Sequence, residues 1–162
     1  MKAAIAFICC LPLVALAGKD ETPIPDSCPV TRATAETRYA PPPPVRPDAA
    51  DSPRFWYGSD ELYTNLAADG RWRGMKSASG IREKSIWFRK DAQWLDEVPH
   101  QLRVTFRPLG KAGSMFTVPR VTNAIIGKEV AMLLMLEFPT PGCWEVTANY
   151  KDAHASFVTW VD

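Results

Sequence analysis

The sequence predicts an all-β fold, an antiparallel β-sandwich of immunoglobulin-like kind, with a small β-barrel as the alternative. Three observations predict it. Apolar and polar residues alternate through residues 101–109 and again through 143–150, the period of a half-buried strand. Roughly eight to ten short segments of strand-forming composition follow one another at near-regular spacing, with Gly, Pro, Asn and Asp turn signals between them. There is no internal repeat and no heptad pattern.

The closing hairpin, residues 137–161, is the clearest unit. Pro139, Pro141 and Gly142 stop the strand that precedes them. Trp144, Val146, Ala148 and Tyr150 then share one face, and Cys143, Glu145, Thr147 and Asn149 share the other. Lys151 and Asp152 turn the chain. Residues 155–161 run back, with Ala155, Phe157, Thr159 and Val161 on one face and Val158 and Trp160 on the opposite one.

Taken from the start, residues 1–17 read as a secretory signal peptide. Lys2 is the positive end, an apolar run follows, and Ala15-Leu16-Ala17 is a small-x-small cleavage site. The run falls short of the roughly 20 residues that a membrane span needs. No cysteine has the preceding residues that lipoprotein processing requires. Residues 18–53 hold Pro23, Pro25, Pro29, Pro41, Pro42, Pro43, Pro44, Pro47 and Pro53 and few large apolar side chains. Such chain is extended and builds no core, so it is expected to be a strap or linker.

The sandwich domain is expected over residues 54–162. Phe55-Trp56-Tyr57, ended by Gly58, opens it. Residues 61–67 read as a strand, Ala68-Asp69-Gly70 as a turn, and Arg71-Trp72-Arg73 as the start of the return strand. Residues 77–80 are a loop, and residues 83–90 a buried strand around Ile86-Trp87-Phe88. Residues 91–100 have room for a short helical turn around Trp94 and Leu95. In residues 101–109, Leu102, Val104 and Phe106 face in, while Arg103, Thr105 and Arg107 face out. Short strands flank Pro119, a turn is expected at 125–128, and the apolar run 130–138 is a central strand.

Charge and composition bound the function. The chain has 162 residues, room for one domain after processing. Removal of Lys2 brings the 19 basic residues to parity with the 18 acidic ones. That balance argues against a nucleic-acid or membrane-surface binder. Removal of Cys9 and Cys10 leaves Cys28 and Cys143, which in an oxidising compartment predicts one disulfide. Alternation turns Trp144 inward and Cys143 outward, so the bond is expected to fasten the strap to the outside of the sheet. It is not the bridge across the core known from antibody domains.

Cys28-Pro29-Val30-Thr31, Tyr57-Gly58-Ser59-Asp60-Glu61-Leu62-Tyr63, Ala68-Asp69-Gly70-Arg71-Trp72 and Phe138-Pro139-Thr140-Pro141-Gly142-Cys143-Trp144-Glu145-Val146-Thr147 resemble segments of a group of exported, uncharacterised bacterial proteins. Tyr63 stands where the group carries Trp. The resemblance implies export, to the periplasm or beyond the cell, and an immunoglobulin-like sandwich. It brings no activity with it.

No catalytic motif stands out. His100 and His154 are the only histidines, and neither forms a zinc-type pair with another ligand. There is no Gly-x-Ser-x-Gly elbow and no nucleotide-binding Gly loop. No cofactor, no metal and no membrane span after cleavage are expected. Asp60-Glu61 and Asp96-Glu97 are the acidic pairs a secreted hydrolase would use, provided that they converge on one substrate. Against that reading stands a non-catalytic module contacting an envelope protein or polysaccharide through exposed aromatics. Trp56, Tyr57 and Trp72 lie beside turns, and Trp160 lies on the outward face of its strand, so these four are the candidate contacts. A strap lying over the outer face would cover the same residues.

Overall fold

Strand structure starts at Arg54 in the computed structural model, which describes residues 21–90, 92, 97, 100–110 and 113–162. The expected signal peptide and the expected helical turn around Trp94 lie outside the described residues. In chain order the strands are β1 (Arg54–Ser59), β2 (Leu62–Ala67), β3 (Arg71–Trp72), β4 (Met75–Ser77), β5 (Gly80–Phe88), β6 (Arg103–Pro108), β7 (Phe116–Thr117), β8 (Thr122–Ile126), β9 (Glu129–Phe138), β10 (Gly142–Tyr150) and β11 (Ala153–Val161). They form two sheets. One runs β1-β2-β5-β9-β8, with β4 also paired to β5, and the other runs β3-β11-β10-β6-β7. Every pairing is antiparallel except that of β3 with β11. The sheets face each other and neither closes on itself. This is the antiparallel sandwich of immunoglobulin-like kind that the sequence predicts, and the small barrel does not form.

The core follows from the period of two. β10 buries Trp144, Val146, Ala148 and Tyr150, β11 buries Ala155, Phe157, Thr159 and Val161, and β9 buries Met132, Leu134, Leu136 and Phe138. Phe138 is the hub. Its ring lies 4.9 Å from Phe106, 5.2 Å from Trp144 and 5.6 Å from Trp72, each edge to face, the arrangement that ring quadrupoles favour. β9 reads as a continuous apolar run because its second face is also partly covered. Ala131 lies there in a separate cluster with Tyr63 and Phe88, against which Tyr39 and Trp56 pack.

Three local expectations are corrected. The Asp69-Gly70 turn does not return the chain beside β2. Gly70 adopts φ +77° and Asp69 Oδ1 accepts the Arg71 N–H at 3.0 Å, and the chain crosses to the other sheet, where β3 lies parallel to β11. Residues 75–82 form a hairpin of β4 on β5, not the end of a longer return strand. Ile125 and Ile126 belong to β8, and the turn that follows is made at Gly127, with φ +65°.

Residues 21–53 carry no strand, yet they are fixed to both sheets. The Thr31 N–H donates to Val158 O at 2.9 Å, Ala33 N–H to Ala68 O at 3.1 Å, and Tyr39 N–H to Trp56 O at 2.9 Å. The Tyr39 ring lies 5.2 Å from that of Tyr63, and its hydroxyl donates to the Asp60 carboxylate. Burial, together with Asp60, holds the Tyr39 hydroxyl far above the usual tyrosine range. Burial likewise pushes Tyr63 up to about 12.

These raised values set the sign of an alkaline effect. Unfolded tyrosines ionise near pH 10 while these two stay neutral in the fold, so their stabilisation is complete below about pH 10 and is lost above it. Urea unfolding between about pH 8 and pH 11 should show level stability followed by a fall. The fall should be shallower in Tyr39→Phe and Tyr63→Phe. An equal fall in both variants would assign it to other groups.

Candidate functional site

Strand parity, the strap and the last residues meet around Cys143 and Trp160. Trp144 is 2% exposed, so Cys143 before it points out of the core. Its partner is Cys28, buried in the strap, with a Cα–Cα separation of 5.7 Å and a sequence separation of 115. The expected disulfide is therefore present, and it lies outside the sandwich.

A charged cluster fixes the strap a few residues upstream. The buried Arg71 donates from Nη1 to Asp162 Oδ1 and from Nη2 to Thr22 O, both at 2.5 Å. Arg73 donates to both carboxylate oxygens of Glu21, at 2.9 and 3.0 Å, and to Asp69 at 2.7 Å. The hydrogen bond from Arg73 holds the Glu21 carboxyl below its ordinary range.

The four candidate aromatics fall in different places. Trp56 is partly buried beneath the strap. Its Nε1–H donates to Arg46 O at 3.0 Å, and its ring stands edge-on to Tyr63 and Phe88 at 5.8 and 5.4 Å. Tyr57 points between the sheets, donates from its hydroxyl to Ser156 O at 2.6 Å and lies 6.1 Å from Phe157. Burial raises its pKa. Trp72 was expected to lie partly exposed beside its turn, and this is corrected. It is 4% exposed and packs against Phe138 and Phe157, because the chain carries it across to the inner face of the second sheet.

Trp160 stands opposite Cys143 on the outer face. It is partly buried and borders two hollows. One, of about 460 Å³, is bounded by Pro25, Cys28, Leu109 and Pro141. The other, of about 630 Å³, is bounded by Glu21, Arg73, Lys76 and Asp162.

The acidic candidates gather at the opposite end of the hairpin. The β10–β11 turn, with Lys151 at φ +52°, walls a cleft of about 440 Å³ together with Asp60 and Glu61 from the β1–β2 turn and Arg89 and Lys90 from the end of β5. Positive φ in a non-glycine residue is uncommon. Two of the carboxylates in the cleft, Asp60 and Glu61, have protein partners. Asp60 accepts from Tyr39 and lies 3.6 Å from Lys90 Nζ. Glu61 accepts from Ser59 Oγ at 2.7 Å.

Glu97 lies beside this cleft, 3.9 Å from Lys151 Nζ and 3.7 Å from His100 Nδ1. The Glu97 and His100 side chains are each 10% exposed, and Glu97 Oε2 and His100 Nε2 have no hydrogen-bond partner among the described residues. Asp96 lies outside the described residues. The arrangement thus draws Asp60 and Glu61 into one cleft with Asp152, and leaves Glu97 behind Lys151.

Two participants were missed by the sequence reading. Tyr39 is the only aromatic residue in the Pro-rich stretch 18–53, and that isolation is the signal that it anchors the strap. The pairing of Glu97 with His100, three residues apart, carries no comparable signal. Among the described residues, no group of three or more His, Cys, Asp or Glu is placed to hold a metal, and no helix is long and apolar enough to cross a membrane. Compared with known protein families, curated proteins and solved structures, the chain matches none.

Proposed function

We propose that this chain is an exported β-sandwich module with a non-catalytic binding or structural role at the cell envelope, and that its contact surface is centred on Trp160. The observation that carries the reading is the setting of that side chain. Of the four candidate aromatics, Trp56 is bonded to the strap, Tyr57 bridges the sheets and Trp72 fills the core, while Trp160 borders open hollows on two sides. An indole rimmed by Glu21, Arg73 and Asp162 suits a sugar ring of an envelope polysaccharide, with C–H groups against the indole and hydroxyls on the charged rim. Export is supported by the signal-like residues 1–17 and by the disulfide. In this reading residues 18–53 are a strap and residues 54–162 the functional domain.

The test uses protein exported to a bacterial periplasm. Its mass should correspond to cleavage after Ala17. Trp160→Ala should weaken binding to immobilised envelope polysaccharide about thirtyfold, the size of a hot-spot truncation, with little change in melting temperature. Trp72→Ala should melt much earlier, because truncating a core Trp costs about 3–5 kcal/mol. Unchanged binding in Trp160→Ala would sink the reading. The second reading, a secreted hydrolase, draws support from the cleft shared by Asp60, Glu61 and Asp152. It would replace the first if the protein cleaved a glycan and Asp60→Asn or Glu61→Gln abolished turnover.

A further inference from the structure

A two-sheet sandwich has four edge strands, and the unpaired N–H and C=O groups of an edge are a template for another strand. The edges other than β8 are short or occupied, including β4, which pairs only with β5 and has three residues. β3 and β7 have two residues each, and β1 receives the strap through the Tyr39 N–H bond to Trp56 O at 2.9 Å. β8 is different. It pairs with β9 along all of Thr122–Ile126, and no described strand pairs with its other side. It contains none of the prolines, charges or glycines that usually protect an edge. Ile125 and Ile126, adjacent and therefore on opposite faces, are 61% and 45% exposed. Exposed cations stand just beyond both ends, Arg120 and Lys128, and neither has an ion-pair partner among the described residues.

We infer that β8 is a strand-addition site for an extended segment of a partner protein, apolar at alternate positions and acidic at both ends. Main-chain bonds to the open edge would hold the segment, its alternate apolar side chains would cover Ile125 on one face while the side chains between them meet Ile126 on the other, and the acidic ends would meet Arg120 and Lys128. A second copy of this chain fits less well. The antiparallel register that pairs all of Thr122–Ile126 with itself centres on Ala124 and sets Arg120 opposite Lys128, a like-charge pair that destabilises a ladder. β8 and Trp160 belong to different sheets, so this inference does not rest on the proposed function.

The probe is a fluorescent peptide, Asp-Glu-Val-Thr-Val-Thr-Val-Glu-Asp, with a second peptide carrying Lys at each acidic position. The acidic-ended peptide should bind the full chain saturably and slow amide exchange within Thr122–Ile126. Arg120→Glu with Lys128→Glu should weaken it about tenfold and reverse the preference between the two peptides. Ile125→Lys, which puts a charge on the edge, should lose binding while unfolding in urea as the parent does, since exposed substitutions rarely change stability. Equal affinity for both peptides, or exchange in β8 unchanged by the peptide, would overturn the inference. So would a concentration-dependent dimer that protects the same amides without peptide, because the second copy would then be the occupant.

Discussion

Replacing both Cys28 and Cys143 with serine is expected to lower the free energy of unfolding by about 3–5 kcal/mol. The bond closes a loop of 115 residues, and restriction of the unfolded chain grows with the logarithm of loop length. The folded state should keep its sheets, because the disulfide lies outside the core and its loss opens no cavity there. The loss should therefore appear as a lower urea midpoint, with the strap the first part to loosen. The anchors nearest the bond, Thr31 on Val158 and Arg71 on Thr22, are hydrogen bonds of about 1 kcal/mol each or somewhat more. Amide exchange at residues 28–33 should quicken more than exchange in β9. A loss below about 1 kcal/mol in urea titrations with and without reductant would mean that the unfolded chain is already restricted there.

Trp144→Ala should cost a similar amount, about 3–5 kcal/mol, for a different reason. The indole is 2% exposed and packs against Phe106, Phe116 and Phe138, so truncation leaves a cavity that these rings fill only partly. It also removes the Nε1–H bond to Thr140 O at 3.1 Å, which holds the Pro-Thr-Pro-Gly turn against the strand it introduces. Thermal and urea unfolding of this variant beside Trp160→Ala compares the two faces of one hairpin. Similar losses in both would contradict the inward and outward assignment.

That assignment was legible because alternation encodes which face a residue occupies. Val104 and Phe106, Trp144 and Val146, and Phe157 and Thr159 all lie where period two puts them. Alternation does not encode which strand lies alongside. The parallel contact of β3 with β11 joins residues about 90 positions apart, and a turn signal at Asp69-Gly70 fits a crossover as well as a hairpin. The exposure of Trp72 was misjudged for that reason: nearness to a turn says little about burial once the chain changes sheet. Trp160 was placed correctly on the outer face, but the strap that narrows access to it comes from residues whose composition records only that they are extended. The cleft at Asp60, Arg89 and Lys151 joins three separate turns and strand ends, a juxtaposition that exists only after folding.

The position of Cys28 also has a consequence in time. A chain delivered N-terminus first presents this thiol long before its partner. At roughly 5–20 residues per second, Cys143, 115 positions further on, takes about 6–23 s to follow. Until then the Cys28 sulfur is open to small thiols, to foreign disulfides and to a neighbouring nascent chain. Covalent closure can come only near the end, when β10 arrives. The strap is thus the earliest segment made and among the last to be locked, and oxidant supplied too soon would trap the wrong adduct instead of speeding maturation.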